Sequence, residues 1–380
     1  MINYMNQSGN DTKFLFITPY LTEVERIISS CPDKQFKQPD VYGTKLNGIK
    51  HLMEHGENIV STHKLFSLFT RDMAALIRQH RYVLVLDEVI DVVEPFTLSS
   101  DDFDLILENC ARADSGDILH WYKDDYSGVF DDIKRSCDTG SVRMYGERAF
   151  LRLLPIEMFK VFERVYILTY MFNAQIQRYY YDYHKIKYSY LHVQGTAPEN
   201  YELTPVSVKT PPSDFNRLIR ICEREKLNRI GDTRTALSKS WYAQNADAPG
   251  MRQLRNNTTN FFKNITRTES NMNLWTTFKD YQEHLQYKGY VKGFLSLNAR
   301  ATNEYRERTS VAYLANRFMN PLVRNFFVMN GVEVDEDEYA LSEMLQFIWR
   351  SAIRDGKAID VYIPSSRMRG LLEQWIAGRN

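Results

Sequence analysis

The sequence is short of most features that announce a specialised class. Four cysteines, Cys31, Cys110, Cys137 and Cys222, are scattered over 380 residues with no C-x-x-C pair. That argues against a zinc site and a disulfide framework, and a reducing cytoplasm is the simplest compartment. No apolar run approaches the length of a membrane span, so no membrane partner is expected. The N-terminus, MINYMNQSGNDTK, lacks the basic start and apolar core of a signal peptide. Net charge is zero, so the chain as a whole has no basic pull toward nucleic acid. Nothing reads G-x-x-x-x-G-K-[ST]. The nearest string, YGTKL from Tyr42 to Leu46, lacks the first Gly and follows no strand. The backbone cradle that phosphates usually occupy is therefore not in the string.

What is present is a globular composition, 43% hydrophobic and 25% charged, on a chain long enough for two domains. The halves differ in sign: residues 1–200 sum to about −6 and 201–380 to about +6. This fits an anionic partner on the second half, or simple scatter. Tyrosine is abundant, and RYYYDYHKIKYSY, Arg178 to Tyr190, is the densest cluster. Interleaved Tyr and basic residues suit base stacking; they also suit an amphipathic helix resting on a core.

Along the chain, KFLFITPY reads as a strand ending at Thr18-Pro19, because Pro cannot continue a central ladder. LTEVERIISS then has helical spacing. GIKHLMEHG reads as a helix with a Gly stop, NIVSTH as a strand, KLFSLFTRDMAALIRQH as a helix and RYVLVLDEV as a third strand. RVYILTYMF returns as a strand with Thr169 at its exit. Alternating strands and helices predict a parallel sheet covered by helices, with ligands beyond the strands' carboxyl ends. There the exits are Thr18, then Ser61-Thr62-His63, then Asp87-Glu88. Residues 95–150 are acidic and irregular and read as a helical insertion. Residues 191–213 are Pro-rich and read as a hinge between a first domain, 1–190, and a second, 214–380. In the second block, NRLIRICEREKLNRIGD reads as a helix, while SKSWYAQ, KGYVKGFLSLNARATNEY and AIDVYIPS read as strands with their exits.

Two groups carry chemistry. Asp87-Glu88 ends an apolar strand, which suits a capped turn or a Mg²⁺ site with a carboxylate beside it to act on water. ALSEMLQFIWRSAIRDG, Ala340 to Gly356, reads as one helix with Gln346, Arg350 and Arg354 on one face. Arginines on an otherwise apolar helix are costly to bury unless an anion meets them; structural ion pairs are the plainer account.

In this order the segments resemble a superfamily-two helicase, closest to DEAD/DEAH-like proteins of phages and mobile elements, over nearly the whole chain. The resemblance implies two RecA-like domains, each a parallel sheet covered by helices, with ATP and Mg²⁺ as cofactors. FITPYLTEVERI and STHKLF look like motifs Ia and Ib, which touch the nucleic-acid backbone through Thr18, Pro19, Thr62 and His63. LDEV is similar to motif II, with Asp87 holding Mg²⁺ and Glu88 acting on water. LTYMF looks like motif III, with Thr169 coupling hydrolysis to movement. LNARATNEYRER sits where motif V would be, with Arg300, Thr302 and Asn303 toward nucleic acid. LQFIWRSAIR is similar to motif VI, with Gln346, Arg350 and Arg354 toward nucleotide, although three residues separate Gln346 from Arg350. The resemblance further implies that the first strand and the Walker A loop lie upstream of Met1, so ATP turnover by this chain is expected to be weak or absent. Expected partners are single-stranded or duplex nucleic acid, DNA before RNA, with replication or recombination proteins beside them. A second reading is a non-catalytic nucleic-acid- or partner-binding module. A third is a metal nuclease built on Asp87, Glu88 and Asp91.

Overall fold

The structure, a computed structural model, describes residues 1–39, 43–112, 118–123, 125–146, 149–195, 200–206, 215–297 and 304–378. The chain divides into two units: residues 1–207 with 320–334, and residues 208–319 with 335–380. These units differ from the expected domains, 1–190 and 214–380, in that residues 320–334 belong with the first.

The first unit opens with α1 (Ile2–Gln7), β1 (Phe14–Thr18), α2 (Leu21–Ser30) and α3 (Lys45–Glu54). β2 (Ile59–Thr62), α4 (His63–Phe66), α5 (Arg71–Gln79) and β3 (Val83–Asp87) follow. β1 is buried along its whole length, and β3 is buried up to Leu86. Such continuous apolar strands belong in a parallel sheet covered on both faces. KLFSLFTRDMAALIRQH is two helices, not one, because the chain breaks at residues 67–70 and restarts after Thr70.

Between β3 and the strand that follows it in the sheet lies a small structure of its own. It holds β4 (Val93–Pro95), α6 (Ser100–Asn109), β5 (Cys110–Arg112), β6 (Leu119–Trp121), α7 (Asp131–Asp138), β7 (Val142–Tyr145) and β8 (Ala149–Leu153). β4, β8 and β7 form an antiparallel sheet, and β5 pairs with β6. The insertion is therefore mixed α/β and not simply helical. Strictly alternating burial in β7 and a Phe103–Phe150 ring stack at 4.3 Å account for a separate core. The chain then returns through β9 (Arg164–Leu168), α8 (Ile176–Tyr183) and an antiparallel pair, β10 (Leu191–Gln194) and β11 (Glu202–Pro205). The main sheet has the order β2-β1-β3-β9, parallel throughout. Among the described residues, β9 pairs with β3 alone.

The second unit contains β12 (Ile219–Ile221), α9 (Pro249–Asn260), β13 (Asn273–Thr276) and β14 (Ser310–Tyr313). α10 (Pro321–Met329) returns to the first unit. α11 (Glu336–Ile348), β15 (Ile359–Tyr362) and α12 (Ser366–Ile376) complete the second. Its sheet is also parallel, in the order β12-β15-β14-β13. Three expectations are corrected here. Ile219-Arg220-Ile221 is a strand inside the segment read as a helix; its alternation puts Arg220 on the open side, where it pairs with Asp360 of the neighbouring strand at 2.8 Å. SKSWYAQ lies in a helix, Lys239–Asn245, capped by Ser238, whose hydroxyl accepts from Trp241 N. The described part of KGYVKGFLSLNARATNEY holds no strand beyond a single bridge from Phe294 to Trp275.

Candidate functional site

The order of the first sheet creates the site. From β1 the chain moves outward to β2, then jumps back past β1 to β3, and continues to β9. Connections leaving β1 and β3 therefore run in opposite directions. This is a topological switch point, the place where sheets of this kind commonly bind ligands beyond the carboxyl ends of their strands. Thr18 ends β1 and Asp87 ends β3, so the two residues flank that point.

They are bonded across it. The Thr18 hydroxyl donates to Asp87 Oδ2 at 3.1 Å, and Thr18 is fully buried. His63, the first residue of α4, contacts the Asp87 carbonyl through Nε2 at 2.9 Å. A carbonyl can only accept, so Nε2 carries the proton. Glu88 has left-handed backbone, φ +70°, which is rare for a residue with a Cβ and concentrates at functional positions. Its N–H donates to the Leu168 carbonyl at 3.0 Å, extending the β3–β9 ladder by one residue. Its carboxylate accepts from the Thr169 hydroxyl at 2.8 Å. Glu88 is thus held at both ends by the exit of β9. Two residues further on, Ile90 N donates to the buried Gln177 Oε1 at 3.0 Å. Gln177 was not among the candidates. The available signal was an amide in α8 just ahead of the aromatic run, a position that a buried polar group takes only with a partner.

The donor set is hard oxygen: two adjacent carboxylates, each accepting a hydrogen bond from a threonine hydroxyl. That set fits Mg²⁺, which commonly takes one or two protein carboxylates and fills its remaining positions with water or substrate oxygens. Asp91 is exposed, and no group of three or more His, Cys, Asp or Glu that could hold a metal occurs among the described residues. A three-carboxylate nuclease centre is therefore not assembled. Thr18, expected to touch a nucleic-acid backbone, has no surface to offer one, because burial and its bond to Asp87 consume it. Pro19, Thr62 and His63 are half-buried around it.

The candidates in the second unit are less gathered. α11 ends at Ile348, so Gln346, Arg350 and Arg354 do not share one helical face. The Ser351 hydroxyl takes the Ile348 carbonyl at 2.6 Å, and Ser351 itself is extended, which stops the helix. Arg350 lies in the turn beyond, and Arg354 is exposed in a short 3₁₀ segment, Ala352–Asp355. Arg300, Thr302 and Asn303 lie outside the described residues.

Comparison with known proteins identifies the lineage. The chain is 38% identical to the SPbeta prophage-derived uncharacterized protein YonV of Bacillus subtilis (strain 168), over 99% of this chain and 95% of that protein. The chain belongs to the YonV family. The YonV C-terminal Rossmann-like domain matches residues 213–376, and the YonV middle domain matches residues 93–152, the inserted α/β structure. A solved XPD helicase aligns over 97% of this chain and 91% of its own at 8% identity with a TM-score of 0.40. Among the described residues, no helix is long and apolar enough to cross a membrane.

Proposed function

We propose that this YonV-family protein is a helicase-type protein that acts on nucleic acid through an acidic Mg²⁺ centre at the switch point of its first sheet. One observation carries the reading: Thr18–Asp87 and Thr169–Glu88 converge on adjacent strand exits, with Glu88 held in left-handed backbone. Asp87 is the residue proposed to hold the metal. Its Oδ2 is steered by Thr18, and its backbone is fixed by His63. Mg²⁺ would supply charge neutralisation for a phosphoryl oxygen at this place. Glu88, positioned by Leu168 and Thr169, would accept a proton from water, and Thr169 would pass a shift of β9 to that carboxylate. Gln346, Arg350 and Arg354 are the proposed phosphate-facing groups of the second unit. Residues 1–380 contain no Walker A string, so the residues named here do not include the phosphate cradle that such a loop supplies. The same observation favours a second reading, a non-catalytic nucleic-acid-binding module on this fold.

The test combines two measurements. Mn²⁺ binding is followed by electron paramagnetic resonance in the wild type and Asp87→Asn. ATP turnover is followed with and without single-stranded DNA and RNA. Expected are metal binding that Asp87→Asn abolishes, and little or no turnover. Wild-type protein that binds no divalent ion would overturn the acidic-centre reading. Strand-stimulated turnover would exclude the non-catalytic one.

A further inference from the structure

Away from the acidic site, the first unit has a cleft of about 510 Å³, within the range of about 300–1,000 Å³ typical of ligand sites. Its walls are Asn173, α8 from Arg178 to Tyr183, the turn that follows, Tyr188 and Tyr190, and residues 330–333. Arg178 braces them. Its guanidinium donates to the Asn173 carbonyl at 3.0 Å, to Asp182 at 2.8 Å and to the Glu333 carbonyl at 3.1 Å. The second Asp182 oxygen accepts from the Tyr188 hydroxyl at 3.0 Å. Asp182 is therefore neutralised and occupied, while Tyr188 is anchored.

We propose that this cleft binds a single strand of nucleic acid, stacking bases on Tyr188 and Tyr190 and setting phosphates against Lys185 in its lining, with the exposed Lys187 two residues further along the chain. The proposal rests on the nucleic-acid reading above and names a surface for it. The two tyrosines are 38% and 44% exposed, although aromatic rings of this size are usually covered. Both lean edge-on against Phe172, with centroids at 5.5 and 6.4 Å. A ring held this way stacks a base at small entropic cost, and any base will serve, since each has a π-face. Lys185 stands in left-handed backbone just past the end of α8. Both lysines are exposed, and neither has an ion-pair partner among the described residues. Free cations beside exposed rings match a polyanion with aromatic bases. The lining is amides, charged groups and phenols, with Val332 its one aliphatic side chain, which does not suit an apolar helix. α8 also carries Gln177, which holds the loop after Glu88. A strand in the cleft would thus rest on the helix that braces the acidic centre.

The test is fluorescence anisotropy with labelled oligo-dT and oligo-rU of about 15 nucleotides, using the full chain without nucleotide. The variants are Lys185→Glu/Lys187→Glu and Tyr190→Ala, each checked for folding by circular dichroism. Each variant is expected to weaken binding roughly ten-fold, and the charge-reversed one to flatten the logarithmic salt slope by about 1.4. Photo-cross-linking of a 5-iodouracil strand to the wild type is expected to label the Tyr188–Tyr190 peptide, and needs no variant. Unchanged affinity in both variants, with cross-links elsewhere, would overturn the cleft and leave the nucleic-acid reading standing. Wild-type protein that binds neither strand would overturn both.

Discussion

The two parallel sheets end in opposite ways. At the carboxyl edge of the first, the chain parts at a switch point, and the exits carry carboxylates bonded to threonine hydroxyls. At the carboxyl edge of the second, the chain steps from β13 to β14 to β15 in one direction, so no such parting occurs along that run. The exits there are Thr276, Thr277, Asn316 and Ser365, all fully buried. Asn316 is knitted to the Arg234 and Ala236 carbonyls and accepts from Arg367 at 3.0 Å. Arg317 is paired with Glu343 at 2.9 Å. Gly231 comes so close to Pro364 that an added Cβ would lie 2.0 Å from its carbonyl oxygen. One edge gathers hydrogen-bonded carboxylates and hydroxyls at a switch point. The other is filled and stitched shut. Similar strand chemistry thus yields a site or a seam, according to connection order and backbone clearance.

That contrast can be broken most severely at the seam. Gly231→Ala should cost about 3 kcal/mol or more, because the obstructing atoms are backbone and cannot swing away. Urea unfolding with a probe in the second unit measures this, and a wild-type midpoint would mean the seam is not tight. At the first edge, Thr169→Val should cost roughly 1.5–3 kcal/mol, the value of a hydrogen bond to a charged group, and should also weaken Mn²⁺ binding. A loss of stability with metal affinity unchanged would show that Thr169 only braces Glu88. At the second edge, by contrast, Tyr313→Phe should be neutral or stabilising by about 1 kcal/mol. The Tyr313 hydroxyl is buried with no hydrogen-bond partner among the described residues, so removing it removes a desolvation cost. Thermal melting of that variant decides the sign.

The smallest effect concerns pH in the first unit. Burial, then the charges of Arg143 and Lys160, push the His184 imidazole down to about 4, with Glu157 opposing them. A depressed histidine means that the unfolded chain binds more protons than the folded one between about pH 6.5 and 4. Its contribution to stability is therefore complete above pH 6.5 and lost as pH falls toward 4. A modest drop in the urea midpoint across that window, reduced in His184→Gln, is the expected outcome; equal drops in both proteins would assign the effect elsewhere.

Much of the first sheet was legible because its strands are apolar runs with polar exits. KFLFIT, NIVST, YVLVLDE and RVYIL each announce their end, and the structure joins their exits as Thr18–Asp87 and Thr169–Glu88. The second unit was harder. RLIRI satisfies helical and strand periods equally over so few residues. SKSWYAQ has strand-forming residues, but its Ser238 cap makes it a helix. The Gln346–Arg350–Arg354 face failed because one serine, Ser351, took a helical carbonyl, and periodicity cannot register a local hydrogen bond of that kind. The aromatic run from Arg178 divides where α8 ends: Tyr179, Tyr180 and Tyr181 are core, while Tyr188 and Tyr190 face outward.

By itself, the sequence determined that this is an α/β protein with an acidic strand exit, since hydrophobic period and turn residues are local properties of the chain. Tertiary structure alone decided which exits meet. It placed β1 beside β3 rather than at an edge, turned Thr18 inward to Asp87, brought Gln177 to the loop after Glu88 from 87 residues away, and returned residues 320–334 to the first unit. The reason is physical. Strand order and long-range hydrogen bonds depend on which apolar faces can be buried together, and that is a property of the whole packed chain rather than of any window within it.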